Sequence, residues 1–455
     1  YVGDHNETGK TIFATAIRQD DNGKVWVGGE PEELPYQCVL SNGGTYYLDS
    51  NLVLKGPSAL NKVGCIYIDS DVTLCLNGHT ITIIDDRDAF DIRKSMESDP
   101  PTLTLTDCKN SGQITHGTTA GGVKYLGNGV SLHQSCDFIM YGGSITGNTT
   151  TGGENTTWRS GGVWVRDNST FTMYGGSITN NTTVWNGGGV YVANILAAFT
   201  MNGGTIANNT ARKYGGGVYC EANKQYGSND TAKINLNGGT ITGNTAGIAG
   251  GGVYFGGMTT CKVAGTVNIT GNTQGDDKAA SNLHVAASAE DQAVLAGNVS
   301  SDSRIGLNAD LIPAYRIVRG SSDTNVFTSD RTNCAVTKNG SVSFNLDLLA
   351  NEEHTHCVCL QNQSYGPYHD HDQDTKWVGI SSLKSVKSYG CYYLLNDVTT
   401  TDEGWGSDLD DVRICLNGHN IILENGYYRP YIHVTNYHTL TITDCAEEAG
   451  QITRK

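Results

Sequence analysis

Six residues able to bind a metal crowd one short polar stretch: His354, His356, Cys357 and Cys359, then His369 and His371 interleaved with Asp370 and Asp372. Imidazoles and thiolates at such close spacing suit tetrahedral zinc. A structural zinc would fold an otherwise polar connector. The same residues also read as a solvent-facing linker whose cysteines form ordinary disulfides. Metal analysis of a chelator-free preparation separates the two, since well under one zinc per chain excludes the site.

Two cysteine pairs come next. Cys75 and Cys108 are 33 residues apart, and Cys415 and Cys445 are 30 apart. Three groups of acids raise the question of carbohydrate chemistry: Asp85, Asp86 and Asp88 around Arg87, Asp276 and Asp277 beside Lys278, and the stretch 408–411. Glycosidic cleavage needs two carboxylates on one face, or a base working with a cation. These groups sit beside turn residues, where solvated charge is the expectation, and none recurs at a fixed spacing. No Asp/Gly loop of the calcium-binding β-roll type is present, so any calcium bound here is expected to be weakly held. Aromatic residues make the last set: Trp158, Trp164, Trp185, Tyr191, Tyr214, Tyr219, Tyr226 and Tyr254.

The elements that must position these residues emerge from an internal repeat. A segment of the form GGSITGNT starts at 142 and returns as GGSITNNT at 175, GGTIANNT at 203 and GGTITGNT at 238, with a weaker copy ending at Thr273. Its asparagine falls at Asn148, Asn181, Asn209, Asn244 and Asn272, in steps of 33, 28, 35 and 28. After each of the first four copies comes a glycine-led run: GGVWV at 161–165, GGGVYV at 187–192, GGGVYC at 215–220 and GGGVYF at 250–255. Every unit holds short runs of period-two alternation and no helical periodicity. Such a unit cannot bury its apolar face alone, but stacked units can, each strand lying about 4.8 Å from its equivalent. The expected fold is an all-β, right-handed parallel β-helix.

Within that fold the repeated residues acquire roles. Val, Ile and Met point inward. Glycines turn the corners, and the five asparagines stack into a hydrogen-bonded ladder. Trp164, Tyr191, Tyr219 and Tyr254 occupy one position in successive coils, so they should form a column. With Val inward, that column is expected to face out as an aromatic strip for a sugar or a protein hot spot. An inward, core-forming column is the alternative. Cys75 and Cys108 fall on neighbouring coils, offset by two residues and facing the same way. Coil spacing is within reach of a disulfide, whose Cα atoms lie about 4.4–6.8 Å apart. A stapling disulfide is expected in each pair, with stacked thiols as the alternative.

A longer period encloses the short one. CLNGHTITI at 75–83, LTLTDC at 103–108 and GQIT at 112–115 return as CLNGHNIIL at 415–423, LTITDC at 440–445 and GQIT at 450–453. These offsets lie between 337 and 340 residues. The chain therefore divides into a first module (1–350), a His/Cys-rich connector (351–376) and the opening of a second module (377–455), and is expected to be a section of a longer tandem array.

Composition narrows the function. The 455 residues include 58 Gly and only 8 Pro, with no collagen-like period. A net charge of −16 argues against a nucleic-acid surface, and no apolar run is long enough to span a membrane. Thirteen cysteines favour an oxidising, extracellular setting or metal ligation, and the odd number leaves one unpaired.

The alternation of ITGNTA (241–246) with GGGVYF (250–255) resembles the repeats of polymorphic outer-membrane and autotransporter-type adhesins. The larger pattern, from HTHCVC through CLNGHTI, LTLTDC and GQITHG to MYGGSITGN, is similar to multi-module surface proteins of Gram-positive gut bacteria. The resemblance implies a secreted or surface-displayed, non-enzymatic adhesin or spacer module. Its partners would be a host or microbial glycan or protein and the neighbouring modules of its own chain. A β-helix polysaccharide lyase or glycoside hydrolase is one alternative, and a structural stalk or fibre subunit is another.

Overall fold

The computed structural model describes residues 14–454 except 22–23, 29, 32–37, 41–42, 56–63, 95–98, 152–159, 194–195, 223–230, 289–292, 352–376, 389, 401–408, 410–411, 425–439 and 445–448. Period-two alternation in runs such as TFTM (170–173) makes them strands, because it puts apolar side chains on one face only. Most strands are short, because glycine and asparagine turns interrupt the chain. Each turn starts a strand on the next face of the coil.

Three parallel ladders result. The first joins Gly64–Ile68, Asp88–Arg93, Val130–His133, Val163–Val165, Val190–Ala193, Val218–Ala222, Val253–Gly257 and Leu283–Val285. The second runs from Thr15–Gln19 through Val72–Cys75, Thr102–Thr106, Asp137–Met140, Thr170–Met173 and Ala198–Met201 into the long strands Ala232–Thr242 and Thr259–Thr270. The third carries Leu52–Leu54, Thr80–Ile83, Gln113–His116, Ser144–Thr146, Ser177–Thr179 and Thr205–Ala207 into the same two long strands. A parallel β-helix is the architecture.

Register puts like on like. Val130, Val163, Val190, Val218 and Val253 are successive partners in the first ladder, and Ile114, Ile145, Ile178, Ile206, Ile241 and Ile269 in the third. All are fully buried. Phe138, Phe171 and Phe199 stack with ring centroids 4.8 and 5.0 Å apart, the spacing of the coils themselves. Full burial of each such side chain contributes roughly 1.5–3 kcal/mol, and every coil adds one to each ladder.

The GGG corners need glycine for two reasons. Gly187 has φ +69°, a conformation costly for other residues, and a Cβ on Gly188 would stand 2.5 Å from the carbonyl oxygen of Gly216 one coil on.

The chain divides into two compact units, residues 1–308 with 318–328, and residues 309–317 with 329–455. The second unit contains an antiparallel hairpin, Cys334–Lys338 with Asn345–Ala350. It also holds parallel ladders of its own: Val378–Ile380, Cys391–Leu394, Val412–Cys415 and Leu440–Thr443, beside Val398–Thr400, Ile421–Leu423 and Ile452–Arg454. Ile380, Leu394, Ile414 and Ile421 form its core.

Its CLNGH corner repeats that of the first unit bond for bond. Asn77 Nδ2 donates to the Leu48 carbonyl at 2.9 Å, and Asn417 Nδ2 to the Leu394 carbonyl at 3.1 Å. Gly78 N donates to Asp107 Oδ1 at 2.7 Å, and Gly418 N to Asp444 Oδ1 at 2.9 Å. Among the described residues no helix is long and apolar enough to cross a membrane.

Candidate functional site

The asparagine ladder forms as expected and is longer than the repeat suggested. Asn148, Asn181, Asn209, Asn244 and Asn272 are fully buried. Each donates from its backbone N and from Nδ2 to Oδ1 of the next, at 2.9–3.0 Å. Each Nδ2 also reaches an isoleucine carbonyl, as from Asn209 to Ile178 at 2.9 Å. Asn282 extends the ladder at one end, its Oδ1 accepting from Asn272 N and Nδ2. His116 closes the other end, with Nδ1 2.7 Å from Asn148 Oδ1. Neither end residue lies in an ITxN frame, although His116 directly follows GQIT, a recurring motif.

The aromatic column departs from expectation. Val163, Val190, Val218 and Val253 do point inward, and Trp164, Tyr191, Tyr219 and Tyr254 do stack in register. The column is not an exposed strip, however, being only 2–8% exposed. It packs with Ala193, Ala249, Ala286 and Tyr214 in a second apolar cluster. Alternation chooses the face of a strand, but it does not say what covers that face. Tyr219 Oη donates to Glu221, and burial with this neighbouring carboxylate pushes the Tyr219 and Tyr191 phenols up. The exposed aromatic stack is elsewhere: Tyr141 and Tyr174, just before the GGSIT corners, stack with ring centroids 4.9 Å apart and planes nearly parallel, each about half exposed. Their recurrence before GG was the available signal. Trp185 is covered by Lys213, whose Nζ lies 3.7 Å from the ring centroid. Trp158 and Tyr226 lie outside the described residues.

An acid–base cluster flanks one end of the column. Asp91 and Arg93 share one face of a strand, with His133 and then Trp164 and Arg166 on the next two coils. Asp91 lies 3.2 Å from Arg93 Nη2 and 3.4 Å from His133 Nε2. Burial raises the Asp91 carboxyl to about 6 despite Arg93. Burial, reinforced by Arg93 and Arg166, lowers His133 to about 3. Both shifts favour the neutral form. The Arg166 guanidinium lies 4.8 Å over the Trp164 ring. Arg93 Nε, His133 Nε2 and Trp164 Nε1 are buried without a hydrogen-bond partner. The Asp91 carboxyl, raised to about 6, is the group of this cluster able to exchange a proton near neutral pH. The signal in sequence was an acid and a base two apart in an otherwise apolar strand, AFDIR (89–93).

The acid groups singled out by sequence serve turns. Asp88 is buried and accepts from Asn128 N at 2.8 Å and from Ser131 Oγ at 2.6 Å. Asp86 accepts from Leu126 N, and Asp85 pairs with Arg87 at 3.4 Å. Asp277 accepts from Ala279 N, while Asp276, Asp277 and Lys278 are exposed in a turn. Of 408–411 only Leu409 is described.

The Cys75–Cys108 staple is corrected to a thiol contact. The two sulfurs are 3.4 Å apart, against roughly 2.05 Å in a disulfide. Cys75 pairs in register with Thr106, so the two-residue offset brings the thiols together without bonding them. Cys445, and with it the second expected staple to Cys415, lies outside the described residues. So do the connector ligands His354, His356, Cys357, Cys359, His369 and His371. Among the described residues no group of three or more His, Cys, Asp and Glu side chains is placed to hold a metal. No family model, curated protein or solved structure matches the chain.

Proposed function

We propose that the chain is a section of an extracellular, non-enzymatic adhesin or spacer, built from tandem β-helix modules and displayed at a bacterial surface. The observation that carries this reading is the exact return of the CLNGH corner, bond for bond, about 340 residues on. Repetition of whole modules multiplies length and display surface, whereas a catalytic site needs to be built only once. The ligand would be a host or microbial glycan or protein, meeting the variable loops and the exposed Tyr141–Tyr174 stack. The connector would bind zinc.

The test pairs a screen of host glycans and mucins with a lyase and hydrolase assay on acidic polysaccharides. Binding that is weakened at least tenfold by Tyr141→Ala and Tyr174→Ala, without turnover, is the expected result. The cluster at Asp91 and His133 favours a second, enzymatic reading. Polysaccharide turnover abolished by Asp91→Asn would establish it and remove the first. Retention of a normal fold without binding or turnover would leave the role of a stalk.

A further inference from the structure

We propose, on the reading that the Tyr141–Tyr174 stack meets the ligand, that the step from tyrosine to asparagine beside it is a subsite for one neutral pyranose ring. Leu105, Met140, Met173, Met201 and Leu236 are successive partners in the second ladder. The residues directly after them form one outward column: Thr106, Tyr141, Tyr174, Asn202 and Asn237. The two tyrosine rings stack with centroids 4.9 Å apart and an interplanar angle of 7°. That interval is the coil spacing, so each ring turns one face to its partner and the other to the next coil along.

Beyond Tyr174 that next coil offers only the shorter Asn202. Among the described residues Tyr174 has Tyr141 as its one ring partner. The tyrosine column therefore stops short and leaves an aromatic face open, in keeping with the 49% exposure of Tyr174. A six-membered ring seated there continues the stack at the interval the tyrosines already set. The C–H bonds lining one side of a pyranose are weakly positive and match the negative face of an aromatic ring.

Polar groups with spare capacity lie beside that face. Asn237 Nδ2 donates to Asn202 Oδ1 at 2.9 Å. The bond leaves the Asn202 amide nitrogen as a donor and Asn237 Oδ1 as an acceptor, on adjacent coils. Exchanging O and N in both amides leaves an equivalent donor and acceptor. Neighbouring sugar hydroxyls, each able to donate and to accept, fit such a pair. Alongside, Asn235 Nδ2 donates to Thr200 Oγ1 at 3.2 Å and widens the polar strip. The other end of the stack has no equivalent, since Thr106 Oγ1 is turned to the Leu74 carbonyl at 3.5 Å.

The strip selects a neutral sugar. Neither this column nor the one beside it, Ile139, Thr172, Thr200 and Asn235, carries a charge. The first cation is Lys262, the partner of Asn235 on the following coil. A carboxylated or sulfated sugar would meet no arginine fork in the strip, and the net charge of −16 disfavours its approach.

The test is calorimetric titration of the whole chain with neutral cello-, chito- and galacto-oligosaccharides, and with hyaluronan and heparin oligosaccharides as acidic probes. The expected result is binding of a neutral probe that weakens about tenfold or more in Tyr174→Ala. Asn202→Ala and Asn237→Ala should each weaken it about fivefold, the worth of one hydrogen bond. Asn202→Tyr repeats the tyrosine of the coil before it, so it should cover the open face and abolish binding with the circular dichroism unchanged. Should Tyr174→Ala not fold, Asn202→Tyr decides alone. Wild-type affinity in Asn202→Tyr, or binding of acidic probes or a protein ligand only, overturns the subsite and leaves the adhesin reading standing. Binding of neither glycan nor protein removes both.

Discussion

Removing one rung from the middle of the ladder is the sharpest test of what holds the coils in register. Asn209→Ala deletes four hydrogen bonds at once: Nδ2 to the Ile178 carbonyl and to Asn244 Oδ1, both 2.9 Å, and Oδ1 from Asn181 N and Nδ2, both 3.0 Å. At about 1 kcal/mol net per bond the loss is ~4 kcal/mol. The Asn181 N–H is stranded in the core, and an orphaned buried donor adds a further ~1 kcal/mol or more. The control is Asn202→Ala, which breaks a solvent-facing rung of the same chemistry, Asn237 Nδ2 to Asn202 Oδ1 at 2.9 Å. Water replaces that partner, and the cost should stay within ~0.5 kcal/mol. Urea unfolding followed by circular dichroism and tryptophan fluorescence measures both. Because repeat arrays sum nearest-neighbour terms, the Asn209→Ala defect should also appear as an early transition of the coils around it. If the two variants lie within ~1 kcal/mol of each other, the buried rungs do not set the register and the reasoning fails.

Two other outcomes follow from the described geometry. Diamide should cross-link Cys75 to Cys108 in the folded protein, the sulfurs closing from 3.4 Å, while buried Cys220 and Cys261, the latter pushed up to about 12, remain free thiols; a cross-link that forms only in denaturant contradicts this. Asp91, raised to about 6 from a usual value of about 3.9, contributes stability that is full below about 4 and lost as pH rises through about 6. Its contribution should make wild type gain on Asp91→Asn as pH falls from 6.5 to 4, by at most ~3 kcal/mol. His133, held near 3, acts oppositely in both proteins, its contribution being lost as pH falls toward that value. A flat difference between the two denaturation midpoints would exclude the Asp91 effect.

The coil, its faces and the ladder were legible because a period-two pattern and a recurring asparagine each report a strict geometric need. What escaped was whatever depends on a neighbour not sharing the repeat. His116 and Asn282 terminate the ladder from outside the ITxN frame. Tyr191 and its stack were correctly set opposite valine, but Tyr214 and Ala249, from the segment before the GGG corner, supply a cover that alternation does not encode. The Asp91 cluster combines residues on three coils whose sequences are unlike one another. The staple was right about adjacency and wrong about the bond, because coil spacing constrains Cα atoms and leaves the sulfurs an ångström of freedom.

The uniform rung has a bearing on how such a chain can change over generations. Each ITxN coil offers an oxygen on one side and two N–H groups on the other, whatever the length of its outer loop, which is why steps of 28, 33 and 35 residues coexist. A coil duplicated or deleted by recombination presents the same two faces to its new neighbours, so the array can lengthen or shorten without compensating substitutions. Only the coils bearing His116 and Asn282 are irreplaceable, and they act as fixed bookends between which inheritance is free to count.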